Sequence, residues 1–246
     1  MKTAYSALTL ARSVAVLALA AALGACATGP NANPRDPLEP YNRSMTRFND
    51  AVDEAVLKPV ATTYQAVTPE VARTGVSNFF ANLGDAWSFV NNALQAKPEP
   101  TISSFMRFSV NTFFGLGGLL DIATEMGMPR YKQDFGLTLG HWGVGTGPYL
   151  VLPIWGPSTL RDTVALPVDM WGNPLEQISP VATRNSLMGL RVVDTRASLL
   201  RAGSLLDEAA LDKYSFTRDS WLQLRDPAAT SSDGDDANDG RLPEEP

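Results

Sequence analysis

Apolar residues three and four positions apart recur through most of this chain, and that spacing restricts it to a packing of amphipathic helices. From Asn42 onward, Met45, Phe48, Val52 and Val56 share a stripe, while Arg47, Asp50, Asp53 and Glu54 fall elsewhere on the wheel. Pro59 is expected to end that helix. Thr68-Pro69-Glu70 offers an N-cap, a proline at the first helical position and an acid in the first turn. Val76, Phe79, Phe80, Leu83, Trp87, Val90 and Leu94 then form a long stripe that stops before Pro98. A third helix is expected near Thr101, with Ile102, Phe105, Met106 and Val110 inward, and late helices over Ser186–Leu200 and Ser204–Leu224. Strand-like alternation is scarce, so the fold class is mostly α. The default reading buries the apolar faces in a core. A protein held at a membrane can instead turn some of them outward into acyl chains, and periodicity alone does not sort the two.

Such tethering has a sequence basis. Lys2 and Arg12 open the chain, Val14 to Leu23 is apolar and Ala-rich, and Leu23-Gly24-Ala25-Cys26 closes the segment. This layout is a secretory signal, too short to span a membrane as a helix. Leu-Gly-Ala-Cys resembles the bacterial lipobox, which implies removal of residues 1–25 and a lipid anchor on Cys26. Cys26 is the sole cysteine, so it has no disulfide partner within the chain. In the lipoproteins that this segment resembles, Asp at position 27 signals retention in the inner membrane; Ala stands there, so the resemblance implies the outer membrane. Residues 26–40 read as a lipidated, extended tether rich in Pro and Asn.

The formal charge of −6 becomes −8 once Lys2 and Arg12 are lost with the signal. Residues 226–246 hold seven acidic residues and one arginine, a net −6, so the body carries only −2. That acidic end is expected to be disordered, and the folded domain to span 41–225. No basic cluster points to nucleic acid.

The middle of the chain departs from the helical pattern. Residues 136–157 mix glycine with large apolar and aromatic groups, and Gly143, Gly145 and Gly147 alternate. A phosphate-cradling loop needs a preceding buried strand and a following helix, whereas Pro148 and a further apolar stretch follow here. A tight structural turn is one reading. A mobile Gly-rich hairpin or loop, rimmed by His141, Trp142 and Tyr149, is the other.

Catalytic options are few. His141 is the sole histidine, no Gly-x-Ser-x-Gly elbow or His-Glu-x-x-His occurs, and nothing calls for a metal or cofactor. Acid–base neighbours such as Arg161 with Asp162, or Asp194 with Arg196, are expected to find partners elsewhere in the fold.

Several blocks in order carry a family resemblance. They include Asp36-Pro37-Leu38-Glu39-Pro40-Tyr41-Asn42-Arg43, Phe48-Asn49, Lys58-Pro59-Val60-Ala61, and Val76-Ser77-Asn78-Phe79-Phe80-Ala81-Asn82-Leu83. Arg107-Phe108 with Asn111 follows, then Asp134-Phe135-Gly136 running through Thr138-Leu139-Gly140-His141-Trp142-Gly143-Val144-Gly145-Thr146-Gly147-Pro148-Tyr149. Gly156-Pro157-Ser158, Arg161-Asp162, Asp194, Arg196, Asp212, Tyr214 and Arg218 complete the run. Over residues 35 to 225 the chain resembles the MlaA (VacJ) outer-membrane lipoprotein family. Lys213 stands where the family often has Pro, and the stretch around Leu166–Ser179 looks individual.

The resemblance implies a single helical, ring-like domain, lipid-anchored on the periplasmic face of the outer membrane. It further implies a non-enzymatic protein that removes mislocalised phospholipid from the outer leaflet and passes it to a periplasmic lipid carrier protein, with a trimeric porin as membrane partner. The transport problem is severe: exposing a lipid with about 30 methylenes to water costs about 24 kcal/mol at about 0.8 kcal/mol each. An amphipathic channel meets it. Within that picture Gly143, Gly145 and Gly147 are candidates for a gating loop, His141, Trp142 and Tyr149 for the passage rim, and Asn42, Arg43, Phe48 and Asn49 for positioning the first helix. The alternative is a structural lipoprotein scaffold with no lipid passage.

Overall fold

A computed structural model describes residues 33–226. The signal segment, Cys26, the first part of the tether and the acidic end beyond Asp226 lie outside the described residues. Within them the chain is helical apart from one hairpin: α1 (Glu39–Val52), a π-helical turn (Asp53–Leu57), α2 (Lys58–Val67), α3 (Glu70–Leu94) and α4 (Pro98–Phe113). Short helices α5 (Ile122–Glu125) and α6 (Phe135–His141) lead to strands β1 (Tyr149–Leu152) and β2 (Gly156–Thr159). Helix α7 (Leu160–Gly172), a 3₁₀ turn (Pro174–Gln177), α8 (Val181–Ser198), α9 (Leu200–Ala209) and α10 (Lys213–Leu224) complete it.

Packing closes on itself. Helix α1 rests on β1, β2 on α10 and α7, α7 on α6, α6 on α3, α3 on α8, and α8 on α2, which runs back into α1. This circuit is the ring-like arrangement expected. The 3₁₀ turn sits among α3, α7 and α8 with Leu175 fully buried.

Several boundaries differ from expectation. Pro59 does not end the first helix. The π turn ahead of it, with the Lys58 amide bonded to the Asp53 carbonyl, widens the backbone where proline's ring and missing N–H would break an α-helix. Thr68 is extended and Pro69 takes the cap of α3 without a side-chain bond. Helix α4 starts at Pro98, ahead of Thr101. The last stretch is two helices, because Asp212 caps a fresh start by accepting the Tyr214 and Ser215 amides. Residues 35–40, expected as tether, are folded onto the body. The Arg35 carbonyl accepts the Tyr149 amide, and Asp36 is buried between Asn42, Tyr214 and Arg218.

The largest departure concerns which faces are inside. Helices α3 and α4 pack along their polar sides. Buried on α3 are Asn82, Asp85, Ser88, Asn91 and Asn92, and on α4 Ser104, Arg107 and Asn111, joined by only two large apolar side chains, Phe80 and Val110. Ile102, Phe105 and Met106, expected inward, face out, as do Val90 and Leu94. Arg107 is 1 % exposed, whereas Phe113 at the end of the same helix is 81 % exposed. The apolar core is correspondingly small: Tyr149, Val151, Tyr214 and Leu222 form its buried centre, flanked by Met45 and Trp221.

Candidate functional site

Ion networks hold the frame. On the α3–α4 side, one Arg107 guanidinium nitrogen donates to both oxygens of Asp121 (2.9 and 3.0 Å) and to Thr124 Oγ1, and the other to the Met128 carbonyl. Arg130 bridges Asp85 at 3.1 Å and Asp121 at 3.3 Å. Burial pushes the Asp85 carboxyl above its usual range, against the pull of Arg130 and Arg107. Burial also acts to raise Asp121, but bonds from Thr124 and Asn111 with both arginines bring it below. A second knot gathers Arg225 at the end of α10, which binds Asp134 (2.6 Å) and Asp162 (2.8 Å). Gly136 is required beside it, since a Cβ there would stand 2.4 Å from Asp162 Oδ1 and 2.7 Å from Arg225.

The acid–base neighbours divide. Asp194 finds Tyr64 and Ser77, and Arg196 finds Asp53, all distant in sequence. Arg161, against expectation, bonds its own neighbour Asp162 at 3.0 Å. From the first turn of α7 its guanidinium also donates to the Arg225 carbonyl at 3.0 Å.

The first-helix candidates separate as sharply. Asn42 is fully buried, donates to Asp36 and to the Tyr149 carbonyl (3.0 Å), and accepts the Val151 amide (2.8 Å). Two turns on, Asn49 donates to the Leu152 carbonyl (2.9 Å) and accepts the Ile154 amide (2.7 Å). Both carboxamides thereby act as a missing neighbour strand along the free edge of β1, one donor and one acceptor each. Arg43 clamps Glu39 and Asp212 and stacks 4.3 Å over the Tyr214 ring. Asp212, mostly solvent-exposed, is held well below the carboxylate range by that guanidinium. Phe48 makes no such contact and is half exposed.

The glycine loop lies between α6 and β1. Its ends are fixed, with the Val144 amide on the Leu139 carbonyl and the Arg161 amide on the Thr146 carbonyl. Gly143 (φ 90°) and Gly147 (φ 67°) occupy the left-handed region that favours glycine. Gly145 does not, and a Cβ there meets nothing within 4 Å. The hairpin is not formed by this loop. It follows as β1 and β2, paired antiparallel from Tyr149↔Thr159 to Leu152↔Gly156. Of the rim candidates, His141 and Trp142 are exposed at the end of α6, with Trp142 Nε1 donating to the Leu94 carbonyl. Tyr149 is no rim residue, being 1 % exposed, because it faces Tyr214 inside the core and burial pushes its phenol up to about 12.

The arrangement has a chemical logic. Buried amides, carboxylates and guanidinia bind the helices to one another, while large apolar side chains cover α3, α4 and α7 outside. In water the second half of that statement is unfavourable. In lipid it is favourable, and helix–helix adhesion there depends on hydrogen bonds and close packing. No helix among the described residues is long and apolar enough to cross a membrane. Between α2 and α8 lies a shallow apolar groove of about 420 Å³ lined by Pro59, Val60, Thr63, Tyr64, Val67 and Val193. Among the described residues no group of His, Cys, Asp and Glu is placed to hold a metal. Sequence reasoning passed over Asp85, Asp121, Arg130 and the exposed tip of the hairpin. Of these, only Asp121 had a visible signal, as a helix-capping Asp ahead of an apolar residue.

Comparison with known proteins agrees with this architecture. The family model described as MlaA lipoprotein matches residues 34–228. A relative in Escherichia coli (strain K12), the intermembrane phospholipid transport system lipoprotein MlaA, is 36% identical over 233 residues, covering 92% of this chain and 88% of the relative. Its namesake in Haemophilus influenzae is 34% identical over 200 residues, 76% of each chain. A solved structure, described as "Structural basis for maintenance of bacterial outer membrane lipid asymmetry", superposes with a TM-score of 0.68 at 37% identity, covering 79% of this chain and 98% of that one. With the family model, full-length relatives and the helical fold all in agreement, this chain belongs to the MlaA lipoprotein family.

Proposed function

We propose that this protein sits in the inner leaflet of the outer membrane, anchored through Cys26, and removes phospholipids mislocalised to the outer leaflet. It acts without bond-making chemistry, passing lipid through an amphipathic channel to a periplasmic carrier protein, with a trimeric porin beside it in the membrane. The observation that carries this reading is the reversed polarity of α3 and α4. Buried Asn82, Asp85, Arg107 and Asn111 hold the helices together through polar contacts, which frees Ile102, Phe105, Met106 and Phe113 to form an exterior that acyl chains solvate. The absence of a membrane-crossing helix among the described residues fits residence in one leaflet. The naming of the relatives for intermembrane phospholipid transport supports the same cargo. Downhill transfer needs no nucleotide in this chain, since a lipid moving between amphipathic environments never exposes its tails fully.

In this reading the Gly143–Gly147 loop gates the passage, hinged at its two left-handed glycines and bordered by His141 and Trp142. Asn42 and Asn49 hold α1 to the hairpin that follows the loop, and Arg43 ties α1 to α10. The test is complementation of a cell lacking its own family member, scoring outer-leaflet phosphatidylethanolamine with an amine reagent that does not cross the membrane. Restored asymmetry is the expected outcome. Persistently labelled lipid, with the protein present at normal level in the outer membrane, refutes transport and leaves the scaffold reading.

A further inference from the structure

The tip of the β1–β2 hairpin is built at a conformational disadvantage. Ile154, a β-branched residue, has φ 68°, in the region such side chains avoid. The Trp155 amide bonds the Pro153 carbonyl at 2.8 Å, making a three-residue γ-turn of the rare, strained hand centred on Ile154. Asn49 grips the entry to the turn, on either side of Pro153, through the Leu152 carbonyl and the Ile154 amide. The strained conformation gains no burial in return. Ile154 is 73 % and Trp155 61 % exposed, and Gly156 (φ 78°) completes the reversal. A backbone held in an unfavourable state to present apolar side chains outward marks a contact site.

We infer that the Ile154–Trp155 tip is a bilayer anchor, inserting between lipids at the head-group boundary. The occupant follows from chemistry. No charged side chain occurs between His141 and Arg161, so the loop and hairpin carry no charge that entry into lipid would have to desolvate. An aliphatic wedge beside an exposed tryptophan suits the membrane interface. Because α1 and the hairpin are joined by paired amides, insertion of the tip also fixes the tilt of α1 against the bilayer. This inference rests on the membrane residence proposed above, but not on transport.

The test uses the full lipidated chain in vesicles of phosphatidylethanolamine and phosphatidylglycerol, with Ile154→Cys carrying an environment-sensitive fluorophore. Unsubstituted protein taken through the same labelling provides the blank, and Ser204→Cys on exposed α9 the aqueous reference. Nitroxide lipids should quench the tip probe several-fold more than iodide does, the reverse of the reference. Trp155→Cys repeats the measurement should Ile154→Cys fold poorly. In a third chain, Ile154→Gly with the probe at position 155, the unfolding midpoint should hold or rise while nitroxide quenching weakens. Iodide quenching equal to the reference overturns the anchor, as does protection that appears only on adding a protein partner. A fall in the unfolding midpoint on Ile154→Gly assigns the residue to the fold instead. The probes report tip position alone, so their failure leaves lipid removal standing, and failed complementation leaves the anchor standing.

Discussion

Replacing Arg107 by Met tests whether the polar interior holds the helical frame together. The side chain is fully buried and satisfies both oxygens of Asp121, Thr124 and the Met128 carbonyl, with Asp85 at 3.5 Å from its Nε. Methionine fills much of the volume but leaves two carboxylates facing a single guanidinium, Arg130. Removing one partner of a buried pair costs about 3–5 kcal/mol. Arg130 stays within 3.3 Å of both acids and offsets part of this, so about 3–4 kcal/mol is expected. For a body of this size that lowers the unfolding midpoint by roughly 6–16 °C. The sign of the pH dependence follows from the carboxyls. Asp85 already titrates above its unfolded value because of burial, so it contributes a stability that declines as pH rises through its folded value. Loss of Arg107 raises Asp85 further and lets Asp121 rise, so the deficit relative to the unsubstituted protein should be larger at pH 7 than at pH 5. Circular dichroism melts in detergent at both pH values provide the assay, with Arg107→Lys expected to fall between. A midpoint shift under about 2 °C at pH 7, or a deficit that does not shrink in acid, would refute the reasoning.

Gly172→Ala places a Cβ 2.2 Å from the Trp87 ring and should dislodge the indole from Asp169, destabilising by about 1–3 kcal/mol; an unchanged melt and an unchanged tryptophan emission spectrum would contradict it. Asn49→Ala frees the hairpin turn, so exchange of the Ile154 amide should accelerate at least tenfold, about 1.4 kcal/mol of lost protection, while the Val151 amide, held by Asn42, stays slow. Equal acceleration at both amides, or at neither, defeats the idea of two independent clamps. Gly145→Val meets no neighbouring atom at its Cβ, so protein levels should hold while the restricted backbone impairs lipid removal. Normal outer-leaflet phospholipid in that variant would rule the loop out as a gate.

The site was legible in pieces. Asn42 and Asn49 stood out through their sequence block, yet their work as surrogate strand partners required seeing β1, whose four residues are too few to declare themselves by alternation. Tyr149 shares the glycine-rich aromatic stretch with Trp142, and nothing local separates one turned into the core from one left outside. Ile154 was invisible for a different reason. Strain is a property of φ, and a β-branched residue is the last place to expect a left-handed one.

Helical character, the helix preceding Pro98, the glycine loop and family membership were all determined by the order of residues, because helix periodicity, prolines and motif blocks are local. The direction of each amphipathic face was not. A period of 3.6 residues defines two opposite stripes and is silent about which one meets a neighbour. Choosing the polar stripe of α3 and α4 for the inside depended on Arg107, Arg130, Asp85 and Asp121 converging from three separate segments. Only the folded chain brings those charges close enough to offset one another's burial, without which a polar interior would be too costly to form.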